Sequence, residues 1–118
     1  MKIRRIVANI DTPDIAAAQA FYGDILGLDI LMDHGWIRTY GSQEKASVQV
    51  GFATEGGSGT PVPALSIEVD DIDEAIGRFR AAGYDFEYGP ATEPWGVRRF
   101  FVRDPFGQLV NILAHGST

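Results

Sequence analysis

The spacing of apolar and polar positions changes several times along the first half of the chain. Loose alternation over residues 3–11 predicts a β-strand, and apolar residues at helical spacing from Ile15 to Leu26 predict a helix. Thr12 is the expected cap of this helix and Gly27 its expected stop. Three short β-rich segments follow, which predict strands at residues 28–32, 36–40 and 47–53. The first half therefore predicts one β-α-β-β-β module.

The same order of patterns returns in the second half. A strand is predicted at residues 64–69, then a helix opened by Asp70 and Asp71 and stopped by Gly83. Three more strands are predicted at residues 86–88, 98–103 and 108–114. The helix ends match (LGLDI against AGYDF), which indicates an internal duplication.

A glycine-rich segment lies between the two modules. Because it carries three glycines and no apolar side chain, it is expected to be a flexible connector. We predict one domain over residues 1–118, with module 1 at about 1–53, the connector at about 54–62 and module 2 at about 63–115. The predicted class is α+β.

Composition narrows the classes of function. The 118 residues are 45% hydrophobic and 22% charged, which fits a globular domain with a core. The absence of cysteine excludes a disulfide, a thiolate metal site and a cysteine nucleophile. A net charge of −6 argues against nucleic acid and anionic lipid as partners. No apolar run has membrane-spanning or signal-peptide length, so a cytoplasmic location is expected.

Three segments carry a family resemblance: residues 20–28 (AFYGDILGL), 69–75 (VDDIDEA) and 94–112 (PWGVRRFFVRDPFGQLVNI). In order and together, they resemble the vicinal oxygen chelate superfamily. That group includes glyoxalase I, extradiol dioxygenases, fosfomycin-inactivating enzymes and bleomycin-binding resistance proteins. The resemblance implies two βαβββ modules, each curling a mixed sheet around a cavity with its helix outside. It also implies a homodimer that completes the cavity.

The four metal-ligand positions that the resemblance implies are not occupied by good ligands. The first falls on Arg5 or Val7, the second on Gln49, the third near Ala64 and the fourth on Asn111. Two amides are weak ligands for a divalent ion, so we expect no metal site and no cofactor. A divalent metal remains the alternative.

Strand alternation places several polar side chains on inward faces. Neutral groups among them can bind a polar ligand, or can pair with one another or with water: Asn9, Gln49, Ser66 and Asn111. Glu68 is the inward carboxylate, which is a candidate general base or acid if buried and otherwise an exposed or paired group. Trp95 lies in a Pro-Trp-Gly loop that suits contact with a planar ligand.

The arginines near the last strands allow two interpretations. Arg98, Arg99 and Arg103 are either solvated residues at strand ends or a local attraction for an anionic group, for which Arg99 is the candidate. The histidines His34 and His115 have no ligand partner at short spacing and are expected to be structural or exposed.

Three functions remain open. The favoured one is a metal-independent small-molecule-binding protein of the glyoxalase/bleomycin-resistance type, which sequesters a polar or aromatic ligand in a dimer-interface cavity. The alternative is a superfamily enzyme, a lyase, isomerase, dioxygenase or transferase, that uses a divalent metal or Glu68. The third is an interaction module with an incidental cavity. The fold alone does not decide between them.

Overall fold

The computed structural model describes residues 8, 10–44 and 51–115. The chain divides into two compact units, Met1–Thr54 and Glu55–Thr118. Among the described residues, no helix is long and apolar enough to cross a bilayer.

The helical segment of the first unit differs from the predicted α-helix. It consists of a 3₁₀ turn at Ile15–Ala17 and a π-helix at Gln19–Ile25. In the π-helix, each turn is wider and the angular step between neighbours is smaller. The adjacent rings of Phe21 and Tyr22 can therefore both be buried, with their centroids 4.8 Å apart.

Of the two predicted ends of this segment, the first is wrong and the second is confirmed. Thr12 is not its cap, because its hydroxyl accepts from the Asp14 N–H at 3.0 Å in the preceding turn. Gly27 does end the helical segment, with a φ of 75° that favours glycine.

A hairpin completes the described part of the first unit. Strand β1 (Asp29–Asp33) pairs antiparallel with β2 (Arg38–Gly41), close to two of the predicted strands. In its turn, the N–H of Gly35 and then the Arg38 guanidinium hold the pKa of Asp33 below its usual value.

Two other predicted strands of this unit lie mostly outside the described residues. Most of residues 3–11 lie outside the described residues, as do residues 45–50. Residues 51–53, predicted as the end of a strand, are not in a strand.

The second unit has the predicted βαβββ order. Its elements are β3 (Leu65–Glu68), α1 (Ile72–Ala81), β4 (Phe86–Thr92), β5 (Val97–Arg103) and β6 (Leu109–His115). The sheet order is β3-β6-β5-β4, with β3 parallel to β6 and the other pairs antiparallel. The mixed α+β class follows directly.

Helix α1 has the termini that the sequence predicts. The Asp71 carboxylate caps it by accepting from the Glu74 N–H at 3.0 Å, and Gly83 follows its end with a φ of 84°. Its apolar side packs on one sheet face, where Phe79 meets Phe100 edge-on at 5.5 Å. Phe100 also stacks on Phe86 at 4.2 Å, so this face holds the core of the unit.

Strand β4 is longer than predicted. The predicted strand ends at Tyr88, and the residues that follow are Gly89 and Pro90, which usually weaken a strand. The ladder instead continues through two register shifts, and the Gly89–Pro90 peptide is cis. A Cβ on Gly89 would lie 2.6 Å from the Arg99 carbonyl oxygen, so only glycine allows this close approach of the two strands.

Candidate functional site

The sheet face opposite α1 carries most of the described candidate residues. Register pairs Asn111 with Ser66 on one side and with Phe101 on the other, and Phe101 with Tyr88. Paired residues share a face. The sheet therefore gathers neutral polar and aromatic side chains on its helix-free face, the inward face of the resemblance.

Asn111 and Ser66 form a polar pair on this face. The Asn111 amide donates to the Ser66 hydroxyl at 3.2 Å. The Asn111 carbonyl oxygen is buried and has no hydrogen-bond partner in the described part of the chain. Buried polar atoms of this kind normally have a partner, so Asn111 has unused accepting capacity on the inward face.

Glu68 lies beside this pair but is not buried. Its side chain is 61% exposed, and a carboxylate oxygen lies 2.9 Å from Nδ1 of His115, which is also exposed. Within this chain Glu68 matches the exposed, paired alternative, and a role as a base stays a prediction. His115 is exposed, as its sequence context suggested.

Arg99 is not a solvated residue at a strand end. Its side chain is only 5% exposed, and its guanidinium carbon lies 4.9 Å from the Phe101 ring, 5.1 Å from Trp95 and 5.3 Å from Tyr88. Alternation along β5 turns Arg99 inward while its neighbour Arg98 turns outward to pair with Asp73 at 2.5 Å. Rings around a buried cation are attracted to its charge.

Glu93 is a buried residue that the sequence analysis missed. Its side chain is 3% exposed. Its carboxylate accepts hydrogen bonds from the Ser58 hydroxyl, at 2.5 Å, and from the Tyr88 hydroxyl. A carboxylate oxygen also lies 3.7 Å from Nε of Arg99. This distance fits an ion pair but is too long for a hydrogen bond. The hydrogen bonds from Ser58 and Tyr88, with the charge of Arg99, hold the pKa of Glu93 below its usual value.

One signal for Glu93 was present in the sequence. Glu93 and Val97 flank the Pro-Trp-Gly turn, and the Glu93 N–H donates to the Val97 carbonyl at 2.8 Å. If such a carboxylate is buried, it needs a partner, and the candidate arginine Arg99 follows in the next strand.

The glycine-rich connector is held on the sheet rather than flexible. Arg99 donates from Nη1 to the Gly56 carbonyl at 2.6 Å and from Nη2 to the Gly57 carbonyl at 3.2 Å. The segment closes on itself through the Gly56 N–H, which donates to the Thr60 carbonyl at 2.7 Å. Composition could not reveal this, since the partner that fixes the segment is about 40 residues away along the chain.

Trp95 lies in the β4–β5 turn, as predicted, with its side chain partly over Arg99 and partly in solvent. A Cβ on Gly57 would lie 2.8 Å from the Trp95 ring. Glycine at this position therefore lets the connector lie directly against the indole.

An open cleft of about 360 Å³ lies beside the connector. Its lining consists of connector backbone, aromatic and aliphatic side chains and one ion pair: Ser58, Gly59, Thr60, Pro61, Glu87, Tyr88, Phe101, Arg103 and Leu109. Arg103 and Glu87 are 2.5 Å apart at its edge. All these residues belong to the second unit.

The remaining candidates are not brought together by the described structure. Asn9 and Gln49 lie outside the described residues, as do Arg5 and Val7, so the first two metal-ligand positions of the resemblance have no described geometry. Within residues 8, 10–44 and 51–115, no three histidine or carboxylate side chains converge. Absence of a metal therefore stays a prediction.

Comparison with known proteins agrees with this architecture. A sequence profile of the Glyoxalase/Bleomycin resistance protein/Dioxygenase superfamily matches residues 3–112. A search of curated proteins gave no match.

Three solved structures illustrate the likeness in fold. TnmS3, an antibiotic binding protein from Streptomyces sp. CB03234, has a TM-score of 0.68 at 22% identity, over 98% of this chain and 97% of its own. TioX from Micromonospora sp. ML1 has 0.63 at 21% identity, over 96% and 97%. Lactoylglutathione lyase from Agrobacterium tumefaciens has 0.63 at 22% identity, over 96% and 92%. Because the superfamily profile covers nearly the whole chain, this protein belongs to the Glyoxalase/Bleomycin resistance protein/Dioxygenase superfamily.

Proposed function

We propose that this protein is a metal-independent small-molecule-binding protein that sequesters a polar or aromatic ligand. The observation that carries the proposal is the inward face of the second unit, where a cleft of about 360 Å³ adjoins aromatic and neutral polar side chains. Binding sites of this size are mainly apolar, with a few placed polar groups. The description of TnmS3 as an antibiotic binding protein supports the same class of function.

The residues that would bind the ligand have complementary roles. Trp95 offers a half-exposed indole to a planar ring, and Asn111 and Ser66 offer an amide and a hydroxyl to polar groups. Asn9 and Gln49 stay predicted contacts from the first module. The charge of Arg99 is balanced by Glu93, so we expect Arg99 to hold the connector and Trp95 in place rather than to bind the ligand.

Independence from metal rests on the donor set. Asn111 stands where the resemblance places a ligand, and its side chain offers only a neutral amide oxygen, which is a weak ligand for a divalent ion. Ala64 has no donor side chain at all. Amides without a converging carboxylate or imidazole hold divalent ions weakly.

The proposal includes a homodimer that completes the cavity. Large aromatic side chains in the first unit lie in solvent, with Trp36 78% exposed and Phe52 94% exposed. Aromatic residues are enriched at interfaces between subunits.

We expect light scattering to give a dimer mass, and Phe52→Ser with Trp36→Ser to lower it to that of a monomer. A monomer mass for the unmodified protein would contradict the dimer.

Native mass spectrometry tests the binding function directly. The untagged protein is measured before and after incubation with zinc, nickel, manganese and iron(II), and again after incubation with a panel of aromatic antibiotics. We expect no stoichiometric metal and a retained ligand mass. Asn111→Leu should weaken retention, whereas Ser42→Ala, in an exposed loop, should not. One metal per subunit would refute metal independence, and no retained compound from a broad panel would favour an interaction module.

A second candidate function is supported by one contact. Glu68 and His115 form a carboxylate–imidazole pair at 2.9 Å, which is the arrangement of a general base and its orienting partner. The alternative is therefore a superfamily enzyme that uses Glu68, or a divalent metal, for lyase or isomerase chemistry. Glu68→Gln distinguishes the two functions: an enzyme loses turnover, whereas a binding protein keeps its affinity.

A further inference from the structure

We propose that the connector cleft holds a flat, uncharged aromatic group within a single chain, and that Arg99 is the positioning residue that keeps the cleft formed. This inference rests on the proposed function and names the class of ligand group. It concerns the part of the proposed cavity that one chain lines by itself, because every residue that lines the cleft lies in the second unit.

The shape and lining of the cleft favour a flat ring. Tyr88 and Phe101 lie on one side, with ring centroids 5.3 Å apart, and Leu109 adds an aliphatic surface. Connector backbone forms a further wall of the cleft, and a Cβ on Gly59 would meet nothing within 4 Å, so the space beside it is open. A ring between a peptide wall and aromatic side chains makes contacts over both of its faces.

The charges of the cleft favour an uncharged group. Glu87 and Arg103 neutralise each other at 2.5 Å at the edge, and Glu93 and Arg99 form a second pair behind Tyr88. A charged ligand would have to displace one member of a pair, or leave its own charge partly desolvated and unpaired. A neutral ring avoids both costs.

The hydrogen bonds of Arg99 hold the connector in the position where it forms a wall of the cleft. Its two terminal nitrogens hold the carbonyls of Gly56 and Gly57, and Glu93 holds the hydroxyl of Ser58. These contacts fix three successive connector residues on the sheet. A segment so rich in glycine has high conformational entropy when released, so losing the contacts would open the wall.

Three naphthalenes of matched ring size test the ligand class. The full-length, ¹⁵N-labelled protein is titrated by NMR with 2-naphthol, naphthalene-2-sulfonate and 2-(aminomethyl)naphthalene at pH 7. We expect 2-naphthol to shift the amide signals of Ser58, Gly59 and Leu109, with an affinity about tenfold above that of either ion. Equal or stronger binding of an ion would refute the preference for a neutral group. Shifts confined to other residues, or none up to the solubility limit, would refute the cleft as the site.

Matched variants test the role of Arg99. Arg99→Lys keeps the charge but cannot make both hydrogen bonds to the connector, so it should lower the affinity for 2-naphthol about tenfold. Arg98→Lys, on the opposite face, should not change the affinity. Phe100→Leu destabilises the same unit from the helix side, so it controls for loss of stability. If Phe100→Leu weakens 2-naphthol as much as Arg99→Lys does, Arg99 has only a structural role.

Failure of this inference can be distinguished from failure of the proposed function. A natural or antibiotic ligand that binds while 2-naphthol leaves the cleft signals unchanged overturns the inference alone. A protein that retains no compound, yet shifts Gly59 and Leu109 with 2-naphthol, overturns the proposed function alone.

Discussion

Replacement of Phe100 by alanine is a direct test of the helix-packed core. Phe100 is completely buried, stacks on Phe86 at 4.2 Å and meets Phe79 edge-on at 5.5 Å. Truncation of a buried phenylalanine costs about 3–5 kcal/mol, from lost burial and from the cavity that remains. A small domain has a total stability of about 5–15 kcal/mol, so the variant should still fold.

Urea denaturation followed by far-ultraviolet circular dichroism measures this loss. For an m-value of about 1.5 kcal/mol/M, the midpoint should fall by about 2–3 M. Val62→Ala is the control, because Val62 is exposed and its truncation should change stability by less than about 0.5 kcal/mol. Equal midpoints for the two variants would refute the packing of α1 on this sheet face. Phe100→Leu should fall between them and remains available if the alanine variant does not fold.

Three further predictions concern groups whose partners are visible in the structure. Asp71→Ala removes the cap of α1 and should lower the unfolding free energy by about 1 kcal/mol, whereas Asp71→Ser should restore most of it; equal stabilities of the three proteins would contradict the cap. Asp104 accepts from two backbone N–H groups of its turn at 2.8 and 2.9 Å, so Asp104→Ala should cost about 1–3 kcal/mol in the same denaturation assay, and a smaller loss would show that water replaces the carboxylate. The pKa of Glu93 is lowered from its usual 4.5, so the ionised carboxylate stabilises the folded protein. This contribution to the unfolding free energy is complete above about pH 4.5 and is lost as pH falls through the lowered pKa. Thermal melts between pH 6 and 3 should therefore show a loss of melting temperature that Glu93→Gln reduces, and identical pH profiles would exclude this carboxylate as the cause.

The second module was predicted well because its signals are local. Asp71 and Gly83 bound a helix whose apolar positions recur at the helical period, and capping and left-handed stops act within one turn. The alternation of β3 likewise placed Leu65 and Ile67 on the packed face and Ser66 on the other. Strand β4 extends past its predicted end at Tyr88, because the neighbouring strand approaches closely enough at Gly89 to keep the ladder.

The site was predicted less completely because burial is not a local property. Glu68 and Arg99 both point inward by alternation, yet Glu68 is exposed and Arg99 is buried. The difference comes from what covers them, since the connector and Trp95 lie over Arg99 while Glu68 stands near the end of a short strand. Asn9 and Gln49 remain predictions.

The sequence by itself determined the order of elements in the second module, the inward positions of Ser66 and Asn111 and the superfamily, since all three depend on periodicity and on short motifs read along the chain. The tertiary structure decided the π-helical form of the first helix, the burial of the Glu93–Arg99 pair and the folding of the connector onto the sheet. The last two depend on contacts between residues far apart along the chain, such as Ser58 with Glu93 and Gly56 with Arg99. The connector shows the reason most clearly: its glycines permit many conformations, and the guanidinium of Arg99, about 40 residues further along the chain, selects one of them.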